Sequence, residues 1–379
     1  MKRFWSVVLC VVICVGSACF QSEALSLSDL SAECAALMCA ETGNLLFSKN
    51  AYEKHSMAST TKIMTALLAV EEYTPEREIK VISSMLGVEG TSMWLLPGDT
   101  VTLRGLVYGM LLQSGNDAAN VSAITLGGSA QDFAHMMNHR AKEIGMKNTN
   151  FVTPSGLDDP DHYSTAYDMA LLGCEAVKNT EFLSICSQKS AVVYYGNPPY
   201  RRTLYNHNRL LSGYDGAVGI KTGFTKKSGR CLVSCAQRDG VTLDAVTLNA
   251  PDDWQDHRKM LDYGFSVVQR TEADYPDEDL CLPVVGGMAD SVSLSCGEVR
   301  IGGETDAVEA VLLSPRFLYA PVKAGQVVGE VRFMKDGKTI ACAPVTADED
   351  IEVKTIQVKE QKQSLFDKIK DKLRRISND

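Results

Sequence analysis

The chain has 379 residues, 45% hydrophobic and 22% charged, enough to bury a substantial core in one or two domains. A formal net charge of -9, with no Lys/Arg-rich run interleaved with aromatics in the body of the chain, argues against nucleic acid as a partner. Cys10, Cys14 and Cys19 lie near the N-terminus, and the nine cysteines that follow form no Cys-x-x-Cys, which speaks against a zinc ribbon or a thioredoxin-like site.

The first 24 residues read as an export signal. Lys2 and Arg3 precede an apolar run from Phe4 to Val15 that is short for a membrane span, and Ser22-x-Ala24 is a small-x-small cleavage site before Leu25. An uncleaved anchor is the competing reading. Export permits disulfides, with Cys34–Cys39 and Cys281–Cys296 as candidate pairs; the plainer reading is that most cysteines are small buried hydrophobes.

Residues 33–49 suggest two strands joined by a turn at Thr42-Gly43-Asn44. From Ser59 onward, Ile63, Leu67 and Val70 recur at helical spacing, with Met64 and Leu68 one step on. Hydroxyl residues favour helix starts, so Ser59 is expected at a helix N-terminus with Lys62 one turn along, on the same face. Leu103, Leu106, Val107, Met110 and Leu111 predict a second helix ending at Gln113; Ser114-Gly115-Asn116 is a polar break, and Asp117 opens a third helix. A fourth runs from 131 to 145, closed by Gly145, and a fifth follows Ser164-Thr165. Residues 192–215 carry turn residues and aromatic strand formers. Residues 217–223, 231–235 and 243–248 read as strands, the last two joined at Arg238-Asp239-Gly240, and 255–268 as a helix. Strands at both ends with helices between them predict an α/β (α+β) body over 25–270, its antiparallel sheet flanked by helices. After a polar stretch near 271–278, alternating apolar residues over 275–358 predict a small all-β module, including a last strand through Ile351, Val353, Ile356 and Val358.

In the tail, 359–379, Leu365, Phe366, Ile369, Leu373 and Ile376 fall on one helix face, with Lys368, Lys370, Lys372, Arg374 and Arg375 among the polar positions. An apolar stripe backed by basic charge is the pattern of a helix lying in a membrane interface.

A serine hydroxyl needs a base to become a nucleophile, and a lysine can be that base when burial or a second cation lowers its pKa. Ser59-x-x-Lys62 alone is a weak signal: such a tetrapeptide arises about once or twice by chance in a chain of average composition and this length. Ser114-Gly115-Asn116 and Lys221-Thr222-Gly223 follow it in order, one at a helix break and one on a strand. With these three motifs, and with Met57–Ala66, Gln113–Ala119, Asn206–Leu211 and Gly219–Thr225 around them, the chain resembles the penicillin-binding serine D-Ala-D-Ala carboxypeptidases, peptidase family S11, relatives of the serine β-lactamases. The likeness spans roughly residues 33–268, and the β module and tail fit it too.

The resemblance implies a β-lactamase/transpeptidase-like fold, with Ser59 as the acylated nucleophile, Lys62 as general base and Ser114 as proton relay. It implies that Asn116 holds a substrate carbonyl, that Lys221 and Thr222 take the substrate carboxylate, and that Gly223 lets the substrate lie along the strand. The backbone N–H groups of Ser59 and Phe224 would form the oxyanion hole. The implied activity is removal of the terminal D-alanine from peptidoglycan stem pentapeptides, in cell wall biogenesis, at the extracytoplasmic face of the bacterial cytoplasmic membrane. β-Lactams would be covalent inhibitors, and no metal or organic cofactor is implied. A transpeptidase, an endopeptidase, a β-lactamase or a catalytically silent wall-binding module stays open at this point. His135 and His139 stand at i and i+4 without the Glu of a zinc-protease helix, so they read as ordinary helix residues. Glu175 and Asn179 have the spacing of a deacylating pair in class A β-lactamases but read as a solvated helix face.

Overall fold

The computed structural model describes residues 25–71, 74–268, 270–273, 280–296, 299–302, 309–335, 337–354 and 370. The export signal (1–24) and nearly all of the expected amphipathic tail therefore lie outside the described residues. The chain divides into two compact units, one comprising residues up to 271 together with 300–306, the other comprising 272–299 and 307 onward.

The first unit begins with β1 (Cys34–Cys39) and β2 (Leu45–Lys49), then α1 (Lys62–Val70), β3 (Glu78–Lys80), β4 (Thr100–Thr102), α2 (Leu103–Leu111), α3 (Asn116–Gly127), α4 (Ala130–Ile144), α5 (Ala166–Lys178) and α6 (Thr180–Cys186). The hairpin β5 (Ser190–Gly196) and β6 (Pro199–Tyr205), the short α7 (Leu210–Gly213), β7 (Ala217–Thr225), β8 (Gly229–Arg238), β9 (Val241–Leu248) and α8 (Asp253–Val267) follow. The main sheet has the order β2-β1-β9-β8-β7, antiparallel throughout. Its pleat sorts side chains strictly. Cys34, Ala36 and Met38 of β1 join the core under α1–α6, whereas Ala35, Leu37 and Cys39 face a second core with Met260 and Leu261 of α8. A strand covered on both faces reads as an unbroken apolar run, as Cys34–Cys39 does.

Helix starts follow the local signals. The side chains of Thr102, Ser129, Thr165 and Asn179 accept from backbone N–H groups in the first turns of α2, α4, α5 and α6. Gly145, at φ 94°, ends α4 in the left-handed conformation. The structure shortens α2, which stops at Leu111 rather than Gln113, and starts α3 at Asn116, one residue before Asp117. Ser114, at φ 59°, reverses the chain between them. Ser59 lies in a 3-10 turn, Ala58–Thr61, and the α-helix proper begins at Lys62. The short β3, β4 and α6 carry too few residues to give a periodic signal.

At the end of this body, β10 (Arg270–Ala273) occupies part of the stretch expected as a polar linker. The second unit is built on β11 (Cys281–Val285) and β12 (Ser291–Cys296). β13 (Val299–Gly302), whose residues from 300 on belong to the first unit, pairs with β10; the second unit continues with β14 (Glu309–Leu313), β15 (Leu318–Tyr319), β16 (Val327–Lys335) and β17 (Lys338–Ala347). The six-stranded sheet runs β14-β16-β17-β12-β11-β15 around Val292, Val331, Phe333, Ala343 and Val345. The expected last strand is reduced to isolated bridges, Val322–Ile351 and Gly287–Val353; Ile356 and Val358 lie outside the described residues.

Neither candidate disulfide fits. Cys34 and Cys39 stand at opposite ends of β1, roughly 17 Å apart at strand rise, far beyond the 7 Å Cα limit. Cys281 is opposite Ser293, three residues out of register with Cys296. Cys34, Cys39, Cys174, Cys186, Cys231 and Cys235 are buried as small core residues.

One core residue breaks the apolar pattern. Asp244 is fully buried on the helix-covered face of β9, opposite Cys235. Both its oxygens lack a hydrogen-bond partner, and a Cβ on Gly173 would come within 2.3 Å of them. Burial raises its pKa well above the usual carboxylate value and so favours the neutral acid in the fold over the ionised form of the unfolded chain. Stability from this group is full below the unfolded pKa and is lost as pH rises toward the folded one. Asp244→Val is therefore expected to stabilise the protein by about 1–3 kcal/mol at pH 8 and by less at pH 4. Urea unfolding at both pH values checks this; equal or lower stability of the variant at pH 8 would show that the carboxyl has a partner.

Candidate active site

The centre of the site is Lys62, the first residue of α1 and wholly buried. Its Nζ lies 2.8 Å from Ser59 Oγ, 2.7 Å from Asn116 Oδ1 and 2.7 Å from the Ser155 carbonyl oxygen. Two of these three are carbonyl-type acceptors with no proton to give. A neutral amine has two N–H donors and one lone pair. Its donors satisfy Asn116 and Ser155, and the lone pair is left for the Ser59 hydroxyl. Burial lowers the Lys62 pKa well below that of a free lysine; the Lys221 charge lowers it further, and Asp117 opposes both. Burial thus favours the neutral amine, and Nζ stands at Ser59 Oγ with the geometry of a base on a serine.

Ser59 comes within reach because its turn is wound tightly. Ala58 has φ 46°, and Thr60 closes the turn through its N–H (3.2 Å) and its hydroxyl (2.6 Å), both donating to the Met57 carbonyl. Beneath the turn, Gly156 (φ 84°) presses so close that a Cβ there would overlap the Ala58 carbonyl. His162 bolts the turn to the loop that carries Ser155. Its Nδ1 accepts from the Val152 N–H at 2.9 Å, so its proton sits on Nε2, which donates to Thr61 Oγ1 at 2.8 Å. Burial holds this imidazole at a pKa of about 4, neutral at physiological pH. Thr65 Oγ1 adds a bond to the Pro154 carbonyl at 2.6 Å.

Strand β7 brings the Lys221-Thr222-Gly223 motif against the Ser59 turn. A Cβ on Gly223 would stand 3.0 Å from Thr60 N, 3.1 Å from Ser59 N and 3.1 Å from the Met57 carbonyl oxygen. Glycine alone lets the strand edge approach this closely. Lys221 is buried, and burial lowers its pKa to about 7. Its Nζ donates to the Thr222 carbonyl at 2.8 Å, which leaves further N–H donors for an anion.

Asn116 holds the other side. Its Oδ1 accepts from Lys62 and its Nδ2 donates to the Glu89 carbonyl at 2.6 Å, leaving one amide N–H. Ser114 lines the cleft, and among the described residues its hydroxyl has no protein hydrogen-bond partner. Ser59, Ser114, Thr222, Gly223 and Phe224 open together onto a cleft of about 360 Å3. The three motifs, 162 residues apart from Ser59 to Lys221, therefore form one site.

Other residues of this site were given no role by the sequence motifs, although His207 and Arg209 lie in the Asn206–Leu211 stretch. Thr91, His207, Arg209, Arg230, Asp253 and Trp254 line the cleft wall. Arg230 pairs with Asp253 at 2.8 Å and lies 5.9 Å from the Trp254 ring. Arg230 lies on β8 and Asp253 and Trp254 open α8, so no one local pattern joins these residues. Ser155 takes part through its backbone, which side-chain motifs cannot reveal. His135 and His139 are exposed on α4, His139 beside Glu143 at 3.3 Å, and no His/Cys/Asp/Glu group among the described residues could hold a metal ion. Glu175 is tied to Arg140 (2.8 Å) and Lys178 (3.2 Å), and Asn179 caps α6; neither lines the cleft.

A serine activated by a buried neutral lysine, beside a second lysine on a strand edge, defines an active-serine acyl-transfer enzyme. The family model for D-alanyl-D-alanine carboxypeptidases matches residues 21–252, and that for the C-terminal domain of penicillin-binding protein 5 matches residues 283–353. The chain is 31% identical over 372 residues to the D-alanyl-D-alanine carboxypeptidase DacF of Bacillus subtilis, covering 93% of this chain and 95% of that one. It is 33% identical over 339 residues to DacC of Escherichia coli, covering 83% of each. Among solved structures, penicillin-binding protein 5 from Haemophilus influenzae superposes with a TM-score of 0.62 at 28% identity, covering 87% of this chain and all of that one. DacD from Francisella tularensis superposes at 0.60 and 26%, covering 87% and 96%. The protein belongs to the D-alanyl-D-alanine carboxypeptidase family of serine hydrolases.

The close approach at Gly223 gives a direct test. Gly223→Ala places a methyl against backbone atoms that cannot rotate away, so β7 and the Ser59 turn must separate. Contacts of 3.0–3.1 Å require a shift of a few tenths of an ångström. A misplacement of about 1 Å costs roughly 100-fold, so the loss expected here is several-fold to about tenfold. Stopped-flow acylation should fall by that order with the thermal midpoint little changed; wild-type acylation would show that the strand edge tolerates a side chain.

Proposed function

We propose that this enzyme removes the terminal D-alanine from peptidoglycan stem pentapeptides through a Ser59 acyl-enzyme, and that β-lactams trap it at that stage. The single observation that carries the mechanism is Lys62, wholly buried with its Nζ 2.8 Å from Ser59 Oγ. Lys62 takes the Ser59 proton as Oγ attacks the penultimate D-alanine carbonyl. The Ser59 and Phe224 backbone N–H groups stabilise the oxyanion, a contribution of a few kcal/mol per donor in such sites. The free amide N–H of Asn116 holds the substrate backbone, and Lys221 with Thr222 takes the terminal carboxylate. An incoming anion favours the charged form of Lys221, which in turn disfavours a second charge on Lys62. Ser114, facing the cleft, carries the proton on to the leaving amine, and water then attacks the acyl-enzyme with Lys62 again as base.

Covalent labelling tests this. Intact mass after benzylpenicillin should show one adduct on the Ser59 peptide, absent in Ser59→Ala. Lys62→Arg keeps a cation that cannot deprotonate, so acylation should drop by several orders of magnitude in a folded protein. An adduct in Ser59→Ala, or near-normal acylation of Lys62→Arg, would remove these assignments. Release of D-alanine from a pentapeptide separates a carboxypeptidase from a transpeptidase or a β-lactamase on the same fold.

We further propose that the enzyme is exported and works at the outer face of the cytoplasmic membrane, held there by the tail. Residues 1–24 have the composition of a secretion signal, and Ser364–Ile376 combines an apolar stripe with basic charge. Anionic lipid attracts such a segment by roughly 1 kcal/mol per basic residue near the surface. The mature protein is expected to co-sediment with anionic vesicles at low salt, whereas a chain truncated after Lys359 stays soluble and still binds penicillin. Equal sedimentation of the two would exclude the tail as anchor.

A further inference from the structure

Asp117 follows Asn116 directly, is buried, and none of the roles above uses it. Its carboxylate collects four donors. Oδ1 accepts from the Met93 N–H and the Ala118 N–H, both at 2.9 Å; Oδ2 accepts from the Leu95 N–H at 3.0 Å and the Ser92 hydroxyl at 2.6 Å. The Ser92 oxygen also accepts from the Trp94 N–H at 2.8 Å. The clamp closes only because Gly115 has no side chain: a Cβ there would stand 2.7 Å from Asp117 Oδ1 and 3.1 Å from Met93 N. From the far side, Tyr195 donates to the Met93 carbonyl at 2.6 Å. The clamped segment is continuous with Glu89 and Thr91. Glu89 supplies the carbonyl for Asn116 Nδ2, and Thr91 supplies the carbonyl for the Asn116 N–H at 2.7 Å and lines the cleft. Trp94, at φ 65° and 72% exposed, is held in a backbone conformation that a bulky side chain rarely adopts. A left-handed tryptophan persists only where its surroundings over-determine it, and the Asp117 clamp does so here.

We propose that Asp117 is a positioning residue of the reaction: it fixes the cleft wall that orients the Asn116 amide, and, next in the chain to the Asn116 side chain that meets Lys62 Nζ at 2.7 Å, it supplies a negative charge beside that amine. The proposal rests on Lys62 as the base. The charged groups acting on Lys62 are Lys221 from β7, which disfavours its protonation, and Asp117 from α3, which favours it. An acid in the first turn of a helix is often only a cap. A cap would hold the fold but would not set the pH dependence of a neighbouring base.

Two variants separate shape from charge. Asp117→Asn orphans one side of the clamp, because an amide nitrogen cannot accept from the Leu95 or Met93 N–H, and it removes the charge. Ser92→Ala weakens the clamp and keeps the charge. The expected result is a second-order acylation rate with fluorescent penicillin at least about tenfold lower for Asp117→Asn, with the acid limb of its pH profile moved to lower pH. Ser92→Ala should show a smaller loss, an unmoved acid limb and faster hydrogen exchange at Met93 and Leu95. A 15N titration of Lys62 Nζ reads the same shift without any reaction, so the proposal is decided even if wild-type protein takes no penicillin, a result that would instead sink the carboxypeptidase reading. An Asp117→Asn acid limb and Lys62 titration at their wild-type positions would overturn the proposal. If Asp117→Asn does not fold, wild-type acylation and wild-type exchange in Ser92→Ala would overturn it.

Discussion

A buried amine sets the terms for the whole first unit. Removing an ammonium from water costs several kcal/mol even after relaxation, so Lys62 is tolerable in the core only as a neutral group with every polar contact met. Three contacts meet it, each from a different part of the chain: Ser59 from the preceding turn, Asn116 from the start of α3, and the Ser155 carbonyl from the loop before α5. Burial of Lys62 at the start of α1 removes its amine from water, which favours the base over the cation.

Most of the unusual backbone near the site serves those three contacts. Ala58 and Ser114 take left-handed conformations without being glycine. Gly156 and Gly223 bring backbone within contact distance of the Ser59 turn from two directions. Such positions cost stability locally and persist where the surrounding structure fixes them. Here the fixing groups are side chains buried behind the reacting atoms: His162 under the nucleophile turn, and Asp117 behind the cleft wall. Each is satisfied by backbone N–H groups, so each ties one loop to one helix.

The core holds several other polar groups by the same rule. His257 bridges Ser234 and Thr247 inside the α8 layer, and burial holds it neutral at a pKa of about 3. Asp256 is met by Ser31 and Ala32. Asp244, with neither oxygen partnered, stays in the fold only as the neutral acid.

The sequence by itself determined the class of fold and the chemistry of the site. Helix periodicity placed α1 to α5 and α8 within a few residues, alternation and turn residues gave the strands β7, β8 and β9, and three short motifs named the residues that converge. These signals are local: they depend on 3.6-residue and 2-residue spacing and on which side chains start or stop a helix. Short elements such as β3, β4 and α6 left no such trace. The disulfide candidates failed because spacing along the chain says nothing of distance across a sheet. Contacts made by backbone atoms, such as the Ser155 carbonyl on Lys62, and by residues scattered over separate elements, such as Thr91 in a loop, Arg230 on β8 and Trp254 on α8, carry no sequence pattern. Only the tertiary structure decided that Lys62 is wholly buried and that its Nζ meets Ser59, Asn116 and the Ser155 carbonyl at once, because burial and hydrogen-bond partners are properties of the packed core that segments distant in the chain build together.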